Sequence, residues 1–141
     1  MNAWPASIRE AFTLKGQDSE GIVEQIDGVV EIEGHLYLVK MKWWNKPLGR
    51  GDVSQHLVRI FSRGDARGIF ISSSGYTDPA IDTCKEALQH TVIVLCKLEE
   101  IIFLLENDVD LKDFLKTKIH VAIIDKNPMF EPLREALYND R

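Results

Sequence analysis

Alternation of apolar and polar residues begins at Val29-Val30-Glu31-Ile32-Glu33 and resumes from Leu36 to Trp43. A period of two over runs this short predicts two β-strands, and Gly34-His35 between them predicts the turn of a hairpin. On the second arm Leu36, Leu38, Lys40 and Lys42 fall on one face, and Tyr37, Val39, Met41 and Trp43 on the other. Pro47, Gly49 and Gly51 mark residues 46–51 as a loop. Asp52 is placed to cap a helix, with Gln55 three residues on as its return partner. The period then changes: Val53, Leu57, Ile60 and Phe61 recur at helical spacing and predict the buried stripe, with His56, Arg59 and Arg63 as a basic stripe beside it.

Beyond Arg67 the alternation gives way to the apolar run Gly-Ile-Phe-Ile-Ser-Ser at 68–73, a fully buried strand opening into a Ser-Gly-Tyr turn. A helix over 78–89, a strand over 91–96, a helix over 97–107 and an amphipathic helix over 111–125 follow, the last ended by Asn127-Pro128. Short helices are also expected over 6–14 and 129–138. A hairpin followed by helix-crossed strands implies an α/β fold, a mixed sheet flanked by helices on both faces. At 141 residues the expectation is one domain over 1–141, with a core of about 18–106 and C-terminal helices over 107–141.

Charge sharpens this picture only when read locally. The chain carries net −5, which speaks mildly against nucleic acid. Residues 40–67, however, hold 7 basic side chains (Lys40, Lys42, Lys46, Arg50, Arg59, Arg63, Arg67) against 2 acidic ones, whereas 1–39 hold 2 against 7. A basic stretch inside an acidic protein suggests an anion-binding face, or else a solvated surface that happens to be basic. No apolar run reaches the ~20 residues of a membrane span, and MNAWPASIRE lacks a signal-peptide core. A cytoplasmic protein without membrane contact is expected. Cys84 and Cys96 lack C-x-x-C spacing and read as buried thiols rather than a disulfide or zinc site.

Three segments carry chemistry in order: Ile26-Asp27-Gly28-Val29, Lys40-Met41-Lys42-Trp43-Trp44, and Gly68-Ile69-Phe70-Ile71-Ser72-Ser73-Ser74-Gly75-Tyr76-Thr77. Together they resemble the Mrr-type restriction endonucleases of the PD-(D/E)xK superfamily, over roughly residues 18–106. The resemblance implies a restriction-endonuclease-like core and metal-dependent hydrolysis of phosphodiester bonds in double-stranded DNA. By position, Asp27 would be a metal ligand, Met41 would offer its main-chain carbonyl, and Lys42 would be the catalytic lysine that stabilises developing negative charge. Mg2+ or Mn2+ is the implied ion. The position of the family's acid is Lys40. A second ammonium about 5 Å from a divalent ion costs up to roughly 7 kcal/mol at an effective dielectric of 20, so metal binding is opposed there.

Glu24, Glu31 or Glu33 could complete a migrated acid site, with Glu24 the first candidate for a metal ligand. Otherwise the chain is a member that binds DNA without cutting it, or one changed at this position. Lys46, Arg50, Arg59, Arg63 and Ser73 are the expected DNA contacts. Ser72, Ser73 and Ser74 could donate to phosphate or satisfy the strand end, and Trp43 and Trp44 are expected mainly in core and hinge packing. A homodimer is expected for double-strand cleavage, with a fused or separate target-recognition domain. A catalytically inactive DNA-binding module is the alternative. A protein-interaction domain with an acidic partner is the further one.

Overall fold

The structure is a computed structural model, and it describes residues 28–134. Its order is β1 (Gly28–Ile32), β2 (His35–Lys42), α1 (Arg50–Phe61), β3 (Arg67–Ser72), α2 (Asp78–Ala87), β4 (Ile93–Lys97), α3 (Leu98–Glu106) and α4 (Leu111–Asp125). The sheet runs β1-β2-β3-β4. β1 pairs antiparallel with β2, while β2–β3 and β3–β4 are parallel, so the sheet is mixed as the pattern predicted. The expected helix at 6–14 lies outside the described residues. Residues 129–133 are not helical, and the remainder of the expected last helix beyond 134 is also outside.

The hairpin turn is Glu33-Gly34, one residue earlier than predicted, with φ of 53° and 83°. A two-residue turn matching the strand twist needs positive φ at both positions. Gly34 takes the second without a side-chain penalty, and His35 is thereby drawn into β2 opposite Ile32.

Strand pairing sets the faces. Leu38, Gly68 and Ile93 form one row and Lys40, Phe70 and Leu95 the next, all on one face. α1 covers that face: a Cβ on Gly68 would stand 2.4 Å from Ile60 Cδ1, so only glycine permits so close an approach. On the opposite face Arg67 stacks beside the Tyr37 ring, and Cys96 feels the charge of Lys118 on α4. Helices therefore flank both faces. At the outer edge of β4 the Leu95 N–H donates to the Pro128 carbonyl at 2.8 Å, which pairs one group that the sheet leaves open.

The N-cap of α1 is Gly49 rather than Asp52. The Asp52 carboxylate lies in the first turn and accepts the Gly49 N–H at 3.0 Å, doing from inside the helix what a capping residue does from outside. Its buried stripe is Val53, His56, Leu57 and Ile60. His56 therefore faces inward, not along the basic stripe, and Phe61 is 46% exposed because it falls one residue past the stripe. Cys84 and Cys96 are buried free thiols, as expected, and burial pushes both up to about 12.

Candidate functional site

The C-terminal ends of β2, β3 and β4 meet the N-termini of three helices at one edge of the sheet. Lys42, Ser72 and Lys97 end these strands in a single cross-strand row. The loops leaving β2 and β3 are stapled together. Leu48 N–H donates to the Gly75 carbonyl and Thr77 N–H to the Leu48 carbonyl, each at 2.9 Å. Thr77 caps α2 by accepting the Ala80 N–H at 3.2 Å, and Arg50 Nε donates to Thr83 Oγ1 at 3.3 Å. The first turns of α1 and α2 are thus fixed beside the end of β2. Helix N-termini carry partial positive charge and free N–H groups, so this edge favours an anion such as phosphate.

The serines are spoken for locally. Ser73 Oγ accepts the Trp44 N–H at 2.8 Å and donates to the Trp44 carbonyl at 2.7 Å, and Ser74 Oγ donates to that same carbonyl. Ser72 Oγ donates to the Gly75 carbonyl at 2.9 Å and accepts the Ser74 N–H. These bonds tie the β3 turn to the exit of β2. They leave the tryptophans outside the core, contrary to expectation: Trp43 is 45% and Trp44 39% exposed. The Lys42 ammonium lies 4.2 Å and the Lys46 ammonium 5.3 Å from the Trp44 ring centroid.

Lys40 and Lys42 share the α1 face of β2, and Lys40 is half-buried. Ser73 N–H donates to the Lys42 carbonyl at 3.1 Å, so the peptide groups of Lys42 look toward β3 and, by alternation, those of Met41 look toward the β1 side. Asp27 and Glu24 lie outside the described residues. Among the described residues no group of three or more His, Cys, Asp or Glu could hold a metal ion. The stretch 40–42 with its neighbours does not by itself fit a divalent cation.

The predicted basic residues divide. Lys46 and Arg50 stand at this edge, whereas Arg59 and Arg63 lie at the far end of α1, about 14 Å or more along the helix from Arg50. Arg63 donates to the Arg59 carbonyl at 2.8 Å, as a cation at a helix C-terminus does. A groove of about 790 Å³ opens at that far end, with Arg63, Arg67, His90 and Lys126 in its wall. The C-termini of α1, α2 and α4 also converge there, and their negative ends offset those cations, so the groove is no anion site on charge alone.

Sequence reasoning missed a buried charged pair. Lys118 and Glu100 are fully buried with Nζ and Oε1 3.7 Å apart, and Lys118 also donates to the Phe130 carbonyl. Glu100 also accepts the Lys97 N–H at 2.9 Å at the start of α3, and burial raises its carboxyl above the ordinary range. The signal was present: Lys118 interrupts the stripe Phe114, Leu115, Ile119, Ala122 of α4.

Compared with known protein families, residues 9–105 match the model of the restriction endonuclease family, Mrr catalytic type. The chain belongs to that family. Neither curated proteins nor solved structures gave a match. The four-stranded mixed sheet with its helices is consistent with the restriction-endonuclease-like fold. Membership makes this a domain of the nuclease type, in a superfamily that typically uses divalent metals. No helix among the described residues is long and apolar enough to cross a membrane.

Proposed function

We propose that this is a DNA endonuclease domain that hydrolyses phosphodiester bonds in duplex DNA at the C-terminal edge of β2 and β3. The observation that carries the reading is the position of Lys42. It ends β2 beside two helix N-termini, with Lys46 and Arg50 alongside, within a chain of the restriction endonuclease family. Lys42 would stabilise the charge that develops on the phosphate, while Lys46, Arg50 and the helix ends would hold neighbouring phosphates. Arg59 and Arg63 would extend the contact along α1, and Ser73 would hold the loop against the DNA.

Mg2+ or Mn2+ would supply polarisation of the phosphate and activation of water. Its ligands would be Asp27 and the Met41 carbonyl, with Glu24 as a further carboxylate. A shared cleft for Asp27, Lys40 and Lys42 is part of the proposal. Lys40 in the acid's place opposes the ion. This specific feature favours a second reading, a module that binds DNA without cutting it. Two copies related by a two-fold axis would reach both strands, a target-recognition domain (fused or separate) would choose the sequence, and the cytoplasm is the proposed location.

Plasmid nicking with Mg2+ or Mn2+, run beside duplex binding across a salt series, tests these readings. Metal-dependent nicking establishes the first. Salt-dependent binding without nicking establishes the second. Absence of both leaves a domain whose basic face meets an acidic protein partner.

A further inference from the structure

Trp44 pairs an exposed side chain with a fixed backbone. Ser73 and Ser74, 29 and 30 residues further along the chain, bond both its N–H and its carbonyl. The indole is thereby held at the end of β2 although no core contains it. Two ammonium groups reach the ring, Lys42 at 4.2 Å and Lys46 at 5.3 Å from its centroid. Both distances are within the ~6 Å at which the ring's quadrupole attracts a cation. Lysine side chains are otherwise among the most mobile, and ordering one opposes any contact that requires it.

We propose that Trp44 is a positioning residue, which holds the Lys42 and Lys46 ammonium groups at the sheet edge so that both are ready to receive a DNA phosphate. The inference rests on the DNA reading above, and it assigns the ring an indirect role: Trp44 acts through the two lysines and not by stacking on a base. An exposed indole fixed at its backbone, with cations over its ring, serves this end without touching the reacting atoms. Ordering the two lysines before DNA arrives lowers the entropy lost when it binds.

The test uses the whole chain with Trp44→Leu, Trp44→Phe, Lys42→Met/Lys46→Met and the combination of Trp44→Leu with the double lysine change. Because Ser73 and Ser74 hold only the backbone of residue 44, these variants should fold. In the free protein, the ε-methylene proton signals of Lys42 should be displaced upfield by the ring, largely retained in Trp44→Phe and lost in Trp44→Leu. In binding of a fluorescent duplex, Trp44→Leu should weaken affinity about 5-fold, and Trp44→Phe should recover most of it. Once both lysines are methionine, Trp44→Leu should cost nothing further.

If the starting chain shows no salt-dependent duplex binding, the DNA reading fails and the inference falls with it. If the chain binds but Trp44→Leu binds equally well, only the positioning role is lost. A penalty that persists without the lysines also overturns it, in favour of direct stacking on DNA.

Discussion

His56 donates its Nε2 hydrogen to the carbonyl oxygen of Leu38 at 3.0 Å, beneath α1 and edge-on to Phe70 with ring centroids 4.9 Å apart. That bond fixes the tautomer, leaving Nδ1 as a buried acceptor without a partner. Burial, with Lys40, Arg59 and Arg63 adding to it, lowers the imidazole to about 4. A histidine held below its unfolded value makes its full contribution above about pH 6.5 and loses it as pH falls toward 4. The expected loss over that window is about 3 kcal/mol. Glu100, raised by burial, works in the opposite sense and favours the folded state as pH falls. Urea unfolding from pH 7 to pH 4 on the starting protein and His56→Gln separates the two. The variant should lose much of the acid sensitivity, and an unchanged pH dependence would mean that His56 is not the buried titrating group.

Gly68 owes its identity to space. A methyl there would meet Ile60 Cδ1 at 2.4 Å and Ile93 Cδ1 at 3.0 Å, both in fully buried side chains. Gly68→Ala should destabilise by about 1–3 kcal/mol through overpacking. Adding Ile60→Val, which deletes the nearer methyl, should restore part of that stability. If the pair is no more stable than Gly68→Ala alone in denaturant, the contact between β3 and α1 is not the cause.

The basic residues should divide in function as they do in space. Lys46 and Arg50 stand with Lys42 at the sheet edge, whereas Arg63 is engaged with the Arg59 carbonyl at the other end of α1. Lys46→Glu with Arg50→Glu should weaken duplex binding and reduce the dependence of log K on log salt by roughly one for each phosphate that is no longer neutralised. Arg59→Glu with Arg63→Glu should do less. Equal effects would mean that the far end of α1 carries as much of the contact as the sheet edge.

Sequence alone carried the hairpin, the mixed sheet and the helix-crossed strands because burial imposes periods of two and 3.6 on the chain. It also singled out the Lys40-Met41-Lys42 and Gly68–Thr77 segments, and the structure pairs their strand ends, Lys42 with Ser72. What it could not carry was the direction of residues at the margin of a stripe. His56 sits three residues from Val53 and four from Ile60, a core position that its polarity disguised. Lys118 betrays its burial by interrupting an apolar stripe, but its partner Glu100 lies on another helix, so the stripe alone does not announce the pair. The start of α1 also moved, because an aspartate can cap from the first turn as well as from outside it. Trp44 was misplaced for a further reason. Large aromatics usually enter cores, whereas the backbone of this one is tied by Ser73 and Ser74, 29 residues and more away, at a place where its ring is exposed.

In the proposed reading, Lys40 decides whether the edge can act. It lies two residues before Lys42 on the same face of β2, in register with Phe70 and near enough to His56 to depress that ring's titration. If Lys40 stands where the proposed reading puts the family's acid, Lys40→Glu removes a cation there and adds a carboxylate ligand, so both changes favour a divalent ion. The variant should bind Mn2+ at least roughly 10-fold more tightly than the starting chain and should gain, or greatly increase, plasmid nicking. It carries its own positional control: without the neighbouring ammonium, His56 should titrate at higher pH, because Lys40 is one of the charges that lowers it. Manganese calorimetry, a nicking assay and a histidine NMR titration on both proteins decide the matter. A shifted His56 with unchanged metal affinity and no nicking would place Lys40 correctly but show that Asp27 and the Met41 carbonyl do not complete a site. Strong cleavage by the unmodified chain would mean that another carboxylate, Glu24 first among them, already stands where the acid is needed.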